Sequence, residues 1–148
     1  MSLHEEFHEA YLFNDGLFPA NRTPAAYTTD WLSMVGHHRM QYIIRVGALT
    51  TGATVDFAVT QATDASGTSA KAIGVAKAIT QLTQAGGDGN DTIIVNVDVE
   101  DMDQANGFTH LRGTLTIGAA AAYTDVIPLR GPGEDRPVST TPLTEAVS

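Results

Sequence analysis

Apolar side chains occupy every second position along several stretches of this chain, and this alternation constrains the fold more than any other feature. It is clearest where Val55, Phe57 and Val59 are separated by single residues. The other strand-like stretches are residues 31–35, 40–46, 92–99, 108–117 and 123–129. Because side chains along a strand point to opposite faces in turn, each stretch can bury one face. Regularly spaced strands without convincing helices predict an all-β fold, an antiparallel β-sandwich or jelly-roll-like architecture.

Three connecting segments have predicted structures of their own. Residues 36–38 are predicted to form a turn. Residues 70–82 fit neither period well; two short strands broken at Gly74 are favoured, with a helix as the alternative. Residues 100–106 are predicted to form one helical turn closed by Gly107, because an Asn-Gly pair favours left-handed backbone.

The chain is predicted to form one domain with two extended ends. A folded chain of 148 residues buries about 70% of the surface that its unfolded form exposes, so it needs neither metal nor disulfide to fold. Residues 1–28 show no sustained period and are predicted to be an N-terminal arm. Residues 29–130 are predicted to form the β-sandwich body, and residues 131–148 an extended C-terminal tail.

The candidate partner-binding residues lie in the arm and in the first turn of the body. They are five aromatic residues and two histidines: Phe7, Tyr11, Phe13, Phe18, Tyr27, His37 and His38. Aromatic side chains spread through an arm need a surface to pack against, which is either the body of the same chain or a neighbouring copy. The two histidines are expected to be turn and interface residues, because adjacent strand residues point to opposite faces and do not converge on one metal ion.

The composition argues against several classes of partner and site. Eight Lys and Arg residues oppose 17 Asp and Glu residues, a net charge of −9, so we expect neither nucleic acid nor membrane as a partner. The chain has no cysteine, which removes disulfides and thiolate sites. Only 17% of the residues are charged, which is low for a free monomer and favours a homo-oligomer or larger assembly. No signal peptide or spanning run is recognisable, so synthesis in the cytoplasm is expected.

Two short motifs have the letters of metal sites without the context. Residues 4–8 match the zinc-protease pattern H-E-x-x-H. Such a helix normally lies inside a packed domain with a third ligand from later in the chain, so a solvated acidic arm is favoured here. Residues 86–93 match one copy of a calcium-binding nonapeptide repeat, in which stacked neighbours supply half of the ligands. A glycine-rich turn between strands is therefore favoured over a calcium site.

Acidic residues near position 100 are the remaining candidates for acid–base chemistry. They are Asp98, Glu100, Asp101 and Asp103. Glycosidase chemistry requires two carboxylates at a matched separation across a cleft, so a solvated helical turn is favoured. No serine lies in a nucleophile-elbow motif. We therefore expect no catalytic residue, no cofactor and no metal, and a non-enzymatic role.

Several segments of the predicted body resemble a group of small virion proteins of tailed bacteriophages. They are Thr29-Asp30-Trp31-Leu32-Ser33-Met34, residues 40–47, residues 54–67, residues 77–82, and Gly107-Phe108-Thr109-His110-Leu111-Arg112 with the residues that follow to Gly118. The resemblance implies a β-sandwich encoded among head and tail structural genes, without catalysis. Among virion roles we favour a capsid decoration, or cement, protein that binds the major capsid protein and copies of itself on the outer capsid surface.

Two other functions compete with decoration. One is another virion role, as a tail or head-to-tail completion protein, which would occur as a single ring rather than at capsid-wide copy number. The other is a carbohydrate- or receptor-binding sandwich. That function would need an exposed aromatic platform, for which the chain offers Trp31 and four tyrosines.

Overall fold

The strands of this protein form two antiparallel sheets that pack face to face. The computed structural model describes residues 10–73 and 77–133. Within them the strands are β1 (Leu12–Phe13), β2 (Leu17–Arg22), β3 (Ala25–Thr28), β4 (Leu32–Ser33), β5 (His37–Leu49), β6 (Thr54–Ala62), β7 (Lys71–Ala72), β8 (Leu82–Thr83), β9 (Thr92–Asp98), β10 (His110–Gly118) and β11 (Ala122–Gly133). The predicted antiparallel β-sandwich is confirmed.

Each sheet is built around two long neighbouring strands. In sheet A the order is β9, β5 and β11, and both β1 and β2 pair with the far side of β11. In sheet B, β6 pairs with β10; β7 and β8 lie along the free side of β6, and β3 and β4 along the free side of β10. The longest strands therefore lie in the interior of the sheets, where they are paired on both sides.

The core is formed by the alternating side chains that the sequence indicated. In β5 the inward residues are the even-numbered ones from Met40 to Val46, and all are at most 3% exposed. The odd-numbered residues of β6 and β10 face them from sheet B. At the centre the rings of Tyr42 and Phe57 lie with their centroids 5.3 Å apart. Burial also raises the pKa of the Tyr42 hydroxyl.

Gly113 provides the space for this aromatic contact. It is an inward-facing position of β10, and a Cβ atom placed there would lie 2.5 Å from the Phe57 Cζ atom and 3.1 Å from the Tyr42 Cε1 atom. Both distances are too short for normal packing. A glycine in the middle of this strand therefore allows two large rings to meet between the sheets.

The structure differs from the prediction of an N-terminal arm over residues 1–28. From Leu12 onward this segment forms β1 and β2 on sheet A and β3 on sheet B. The two prolines of this segment are compatible with these positions, because Pro19 lies in an edge strand and Pro24 between two strands. Residues 1–9 lie outside the described residues.

The start of β5 and the end of β11 also differ from the boundaries predicted from the sequence. His37 and His38 are the first residues of β5 rather than part of a turn, and the chain turns before them at Gly36, which has φ of +77°. β11 continues through Gly133, past the predicted start of the tail at residue 131. The remainder of that tail, residues 134–148, lies outside the described residues.

The connection at residues 70–82 forms short strands, and the connection at residues 100–106 forms short helical turns. β7 and β8 pair with opposite ends of β6, and Ala78 forms an isolated bridge to Ala58 between them. This agrees with the short strands favoured over a helix, although Gly74, the expected break, lies outside the described residues. The predicted helical turn is a pair of 3-10 turns, Val99–Asp101 and Gln104–Asn106, and Gly107 ends the second with φ of +79°.

Substitution of Gly113 by alanine tests this core. Because the added methyl group meets both rings, we expect the free energy of unfolding to fall by about 1–3 kcal/mol. Thr116→Ala, on the exposed face of the same strand, is the matched control and should change stability by less than about 0.5 kcal/mol. Urea unfolding of the two variants measures the difference. Equal stability would show that the two rings are not in contact across Gly113.

Candidate interaction surface

Three isoleucines form an apolar row across the outer face of sheet A. Ile43 of β5 lies opposite Ile94 of β9 on one side and opposite Ile127 of β11 on the other. All three point away from the core, because their neighbours in sequence are the inward residues of these strands. Ile94 is 52% exposed, and the other two are partly buried. We call these residues the isoleucine row.

A groove continues the isoleucine row toward the N-terminal strands. It has a volume of about 370 Å³, and its apolar lining includes Phe13, Leu17, Phe18 and Pro19 together with Ile127. The side chain of Phe18 is 71% exposed. We call this depression the β2 groove. Together with the isoleucine row it forms one apolar surface that crosses sheet A.

Two hydrogen bonds and one close backbone approach fix the wall of the β2 groove against β11. The Asn14 N–H donates to the Pro128 carbonyl at 3.1 Å, and Arg130 Nε donates to Asn14 Oδ1 at 2.9 Å. At Gly16 the chain runs so close to β11 that a Cβ atom would collide with the carbonyl oxygen of Val126. These contacts hold the segment between β1 and β2 in place, so the groove is a preformed part of the fold.

Polar pairs flank the apolar surface on both sides. Arg45 donates from Nε to Asp125 Oδ1 at 3.0 Å and from Nη2 to the other carboxylate oxygen. The Asp125 carboxylate is nearly buried, whereas Arg45 is half exposed and its pKa is raised by this carboxylate. On the opposite side, Gln41 Nε2 donates to Asn96 Oδ1 at 3.0 Å. An apolar centre with a satisfied polar rim is the usual arrangement of a protein–protein contact.

Of the predicted partner-binding aromatics, three described ones pack on the chain itself. Tyr11 lies beside Gly131 on the outer face of sheet A. Phe13 is partly buried in β1, and it also lines the β2 groove. Tyr27 is half-buried against the core and its hydroxyl donates to the Thr23 carbonyl at 3.0 Å. Phe18 alone among the described members of the set is mostly exposed, and Phe7 lies outside the described residues.

The two predicted histidines lie apart from the aromatic residues. His37 and His38 line a smaller pocket of about 260 Å³, together with Met34, Val35 and Phe108 among others. Val35 at its rim is 70% exposed. The structure therefore does not bring the histidines and the aromatics of the predicted set into one site.

Ion pairs occupy three of the four acidic residues near position 100. Asp98 pairs with Arg39 at 2.6 Å, Asp101 with Lys77 at 2.9 Å, and Asp103 with Lys71 at 2.5 Å. The hydrogen bond from Lys77 lowers the pKa of Asp101. Hydrogen bonds from Lys71 and Asn106 lower the pKa of Asp103. Carboxylates held in their charged form by a lysine are poor general acids. Their arrangement fits a structural role for this turn.

The two motifs with the letters of metal sites lie at residues 4–8 and 86–93. Among residues 10–73 and 77–133, no group of three or more His, Asp or Glu side chains could hold a metal ion. In the glycine-rich turn, the Asp88 carboxylate accepts a hydrogen bond from the Thr83 N–H at 2.7 Å and thereby closes the loop. The H-E-x-x-H segment lies outside the described residues.

Within residues 10–73 and 77–133, no helix combines the length and hydropathy that a membrane span requires.

Trp31, the residue best suited to stack on a sugar, has contacts on its ring. The Arg112 guanidinium carbon lies 4.4 Å from the ring centroid. The loop at Gly67 approaches the indole edge so closely that a Cβ atom there would lie 2.5 Å from the Trp31 Nε1 atom. The tryptophan is therefore only partly exposed and does not form an open aromatic platform.

Sequence reasoning missed the isoleucine row, although a signal for it was present. Each of its three strands contains two adjacent apolar residues, namely Ile43-Ile44, Ile93-Ile94 and Val126-Ile127. One member of such a pair must face outward when the other faces the core. Three adjacent pairs in neighbouring strands predict a sheet that is apolar on both faces.

Comparisons with known proteins do not identify the chain. No family model matches it, and no curated protein or solved structure matches it either. The geometry of the described residues and the physical chemistry of the apolar surface are therefore the basis for assigning a function.

The ion pairs near position 100 predict a specific loss of stability in acid. The pKa values of Asp101 and Asp103 are lowered in the folded protein. Their stabilising contribution is therefore present above the unfolded-state value near pH 4 and is lost as the pH falls through the lower folded values. We expect the variant Asp101→Asn/Asp103→Asn to show a smaller fall in unfolding free energy between pH 5 and pH 3 than the unaltered protein, measured by urea unfolding.

The matched control for this experiment is Glu100→Gln. Glu100 is exposed in the same turn and makes no ion pair among the described residues. This variant should follow the acid dependence of the unaltered protein. An identical pH dependence in the double aspartate variant would contradict a stabilising role for the two lysine pairs.

Proposed function

We propose that this chain is a non-enzymatic structural protein of a tailed-bacteriophage virion, a decoration protein that binds the outside of the head and stabilises it. The observation that carries the proposal is the apolar surface of sheet A, where the isoleucine row meets the β2 groove and the exposed Phe18. Contiguous exposed apolar side chains with a polar rim mark interaction sites on soluble proteins. The resemblance of the body to small phage virion proteins supplies the context.

The form of the surface supports binding to a broad protein partner. The isoleucine row lies along the outer face of three neighbouring strands, and the β2 groove extends it toward the edge of the same sheet. Small-molecule sites are normally concave and enclose most of the ligand. An extended row across a rigid sheet suits a flat contact with another folded protein, which in this proposal is the major capsid protein.

The electrostatic character also supports a protein partner. The chain carries a net charge of −9, so long-range attraction to packaged DNA would be unfavourable. Beside the isoleucine row, Arg45 and Asp125 neutralise each other, and Asp15 is the other charged residue that lines the β2 groove. A contact surface with little net charge on an otherwise acidic protein can bind a capsid shell while the remaining surface stays in solvent.

A substitution at Phe18 tests the proposal on particles of the phage that encodes this chain. We expect Phe18→Asp to bind purified heads that lack the protein at least about tenfold more weakly, because an exposed aromatic residue at an interface centre often dominates its affinity. The side chain is 71% exposed, so the fold should tolerate the change. Co-sedimentation of purified protein with the heads measures binding.

Val35→Asp is the matched control, since Val35 is 70% exposed but lies at the histidine pocket instead. It should bind the heads as the unaltered protein does. Equal binding of both variants would contradict the assignment of sheet A as the contact surface. A copy number matching one ring per particle would instead favour a tail or head-to-tail completion protein.

A further inference from the structure

In the described part of the chain, β9 is an edge of sheet A with none of the usual features that prevent further pairing. It pairs there with β5 alone. Its seven residues contain no proline and no lysine, and its one charged residue, Asp98, lies at the end and is paired with Arg39. A long, uncharged edge strand presents unpaired backbone groups to any compatible strand.

The other described edges are short or interrupted. β2 contains Pro19, and β3 has four residues directly after Pro24. β4, β7 and β8 have two residues each, and β7 begins with Lys71. Short strands, proline and lysine are the means by which soluble proteins block edge-to-edge association. The contrast makes β9 the one described edge suited to accept another strand.

The register of β9 against β5 determines which backbone groups are available. The Val46 N–H donates to the Asp91 carbonyl at 2.8 Å, so residues 91, 93, 95 and 97 direct their backbone groups toward β5. The N–H and C=O groups of the alternate residues, Thr92, Ile94 and Asn96, therefore point away from the sheet. The side chains of these three residues are also exposed, on the outer face.

We propose that β9 pairs antiparallel with β9 of a second copy, with the two Ile94 residues opposite each other on a two-fold axis. This register places Thr92 opposite the partner's Asn96, and it satisfies the N–H and C=O groups of three residues in each copy. The isoleucine row would then run without interruption through both copies. The two sheets A would become one continuous sheet.

Charge in this register is compatible with pairing. Asp98 lies opposite the partner's Asn90, so no two like charges face each other directly. The inward face brings Val95 opposite the partner's Ile93, an apolar pair. A β9 edge is thus complementary to itself, as a two-fold interface requires.

The dimer does not depend on the proposed binding to a phage head. Ile94 belongs to both surfaces, but the dimer uses the backbone edge of β9, whereas head binding is tested at Phe18 in the β2 groove beside β11. Dimer formation in solution and binding to heads are therefore measured separately, and either can fail without the other. Because strand pairing of this length buries a small interface, we expect a dissociation constant of about 1–100 µM for the dimer.

Single-cysteine crosslinking of the full chain tests the register. The chain has no native cysteine. In a hydrogen-bonded antiparallel pair, residues on the two-fold axis have Cα atoms about 5.5 Å apart, which a disulfide can bridge. We expect Ile94→Cys to form a disulfide-linked dimer on mild oxidation. Asn96→Cys should not, because its Cα atom lies about 13 Å along the strand from that of the partner's residue 96.

Ile94→Lys tests the contact without a crosslink. Two lysines opposite each other on the axis repel, and we expect the dimer to weaken by at least about tenfold in analytical ultracentrifugation. Val35→Lys is the matched control at an exposed apolar residue outside β9 and outside the apolar surface of sheet A, and it should leave the dimer unchanged. Circular dichroism should confirm that both variants remain folded, because both side chains are mostly exposed.

Four results would overturn the proposal. The first is an unaltered chain that stays monomeric at about 300 µM, well above the expected dissociation constant. The second is a dimer that Ile94→Lys leaves intact. The third is equal crosslinking of Ile94→Cys and Asn96→Cys, which would indicate random collision. If the chain dimerises only after deletion of residues 134–148, β9 is occupied by the chain's own C-terminal segment and the proposal is also wrong.

Discussion

The contact between Tyr42 and Phe57 above Gly113 joins the two sheets, and the outer surfaces depend on it. Once Tyr42 faces the core, alternation along β5 requires Ile43 to face outward. The ladders on both sides of β5 then place Ile94 and Ile127 beside it. The apolar surface of sheet A is thus a direct consequence of how the core is packed, because a strand cannot rotate one residue without rotating its neighbours.

β11 connects this core to the N-terminal strands. Its one side pairs with β5, and its other side pairs with β1 and β2. The β2 groove exists because the segment between β1 and β2 lies tightly against β11 at Gly16. A groove formed in this way has a rigid wall, and binding there would lose little conformational entropy. The two proposed contacts, at the β2 groove and at the β9 edge, lie at opposite edges of sheet A.

The fold class and the inward residues of the long strands could be predicted from the sequence, because alternation reports directly on which face is buried. The N-terminal strands could not, since β1 and β3 are short and β2 contains Pro19. Their structure is determined by pairing with β10 and β11, which are distant in sequence. Of the described aromatic residues singled out in the sequence, Phe18 is mostly exposed and lines the β2 groove with Phe13, whereas Tyr11 and Tyr27 pack on their own chain, because the strands that contain or adjoin them pair with the body.

The proposed role has this sandwich binding through the outer face of sheet A, as a component of a phage head. A density map of the purified particle, at a resolution that separates the two sheets, is the most direct test. If the proposed role is correct, copies lie over the whole head, with the β2 groove and Ile127 against the shell and the outer face of sheet B in solvent. A map with sheet B against the shell, or with no density for this chain on the head, would contradict it.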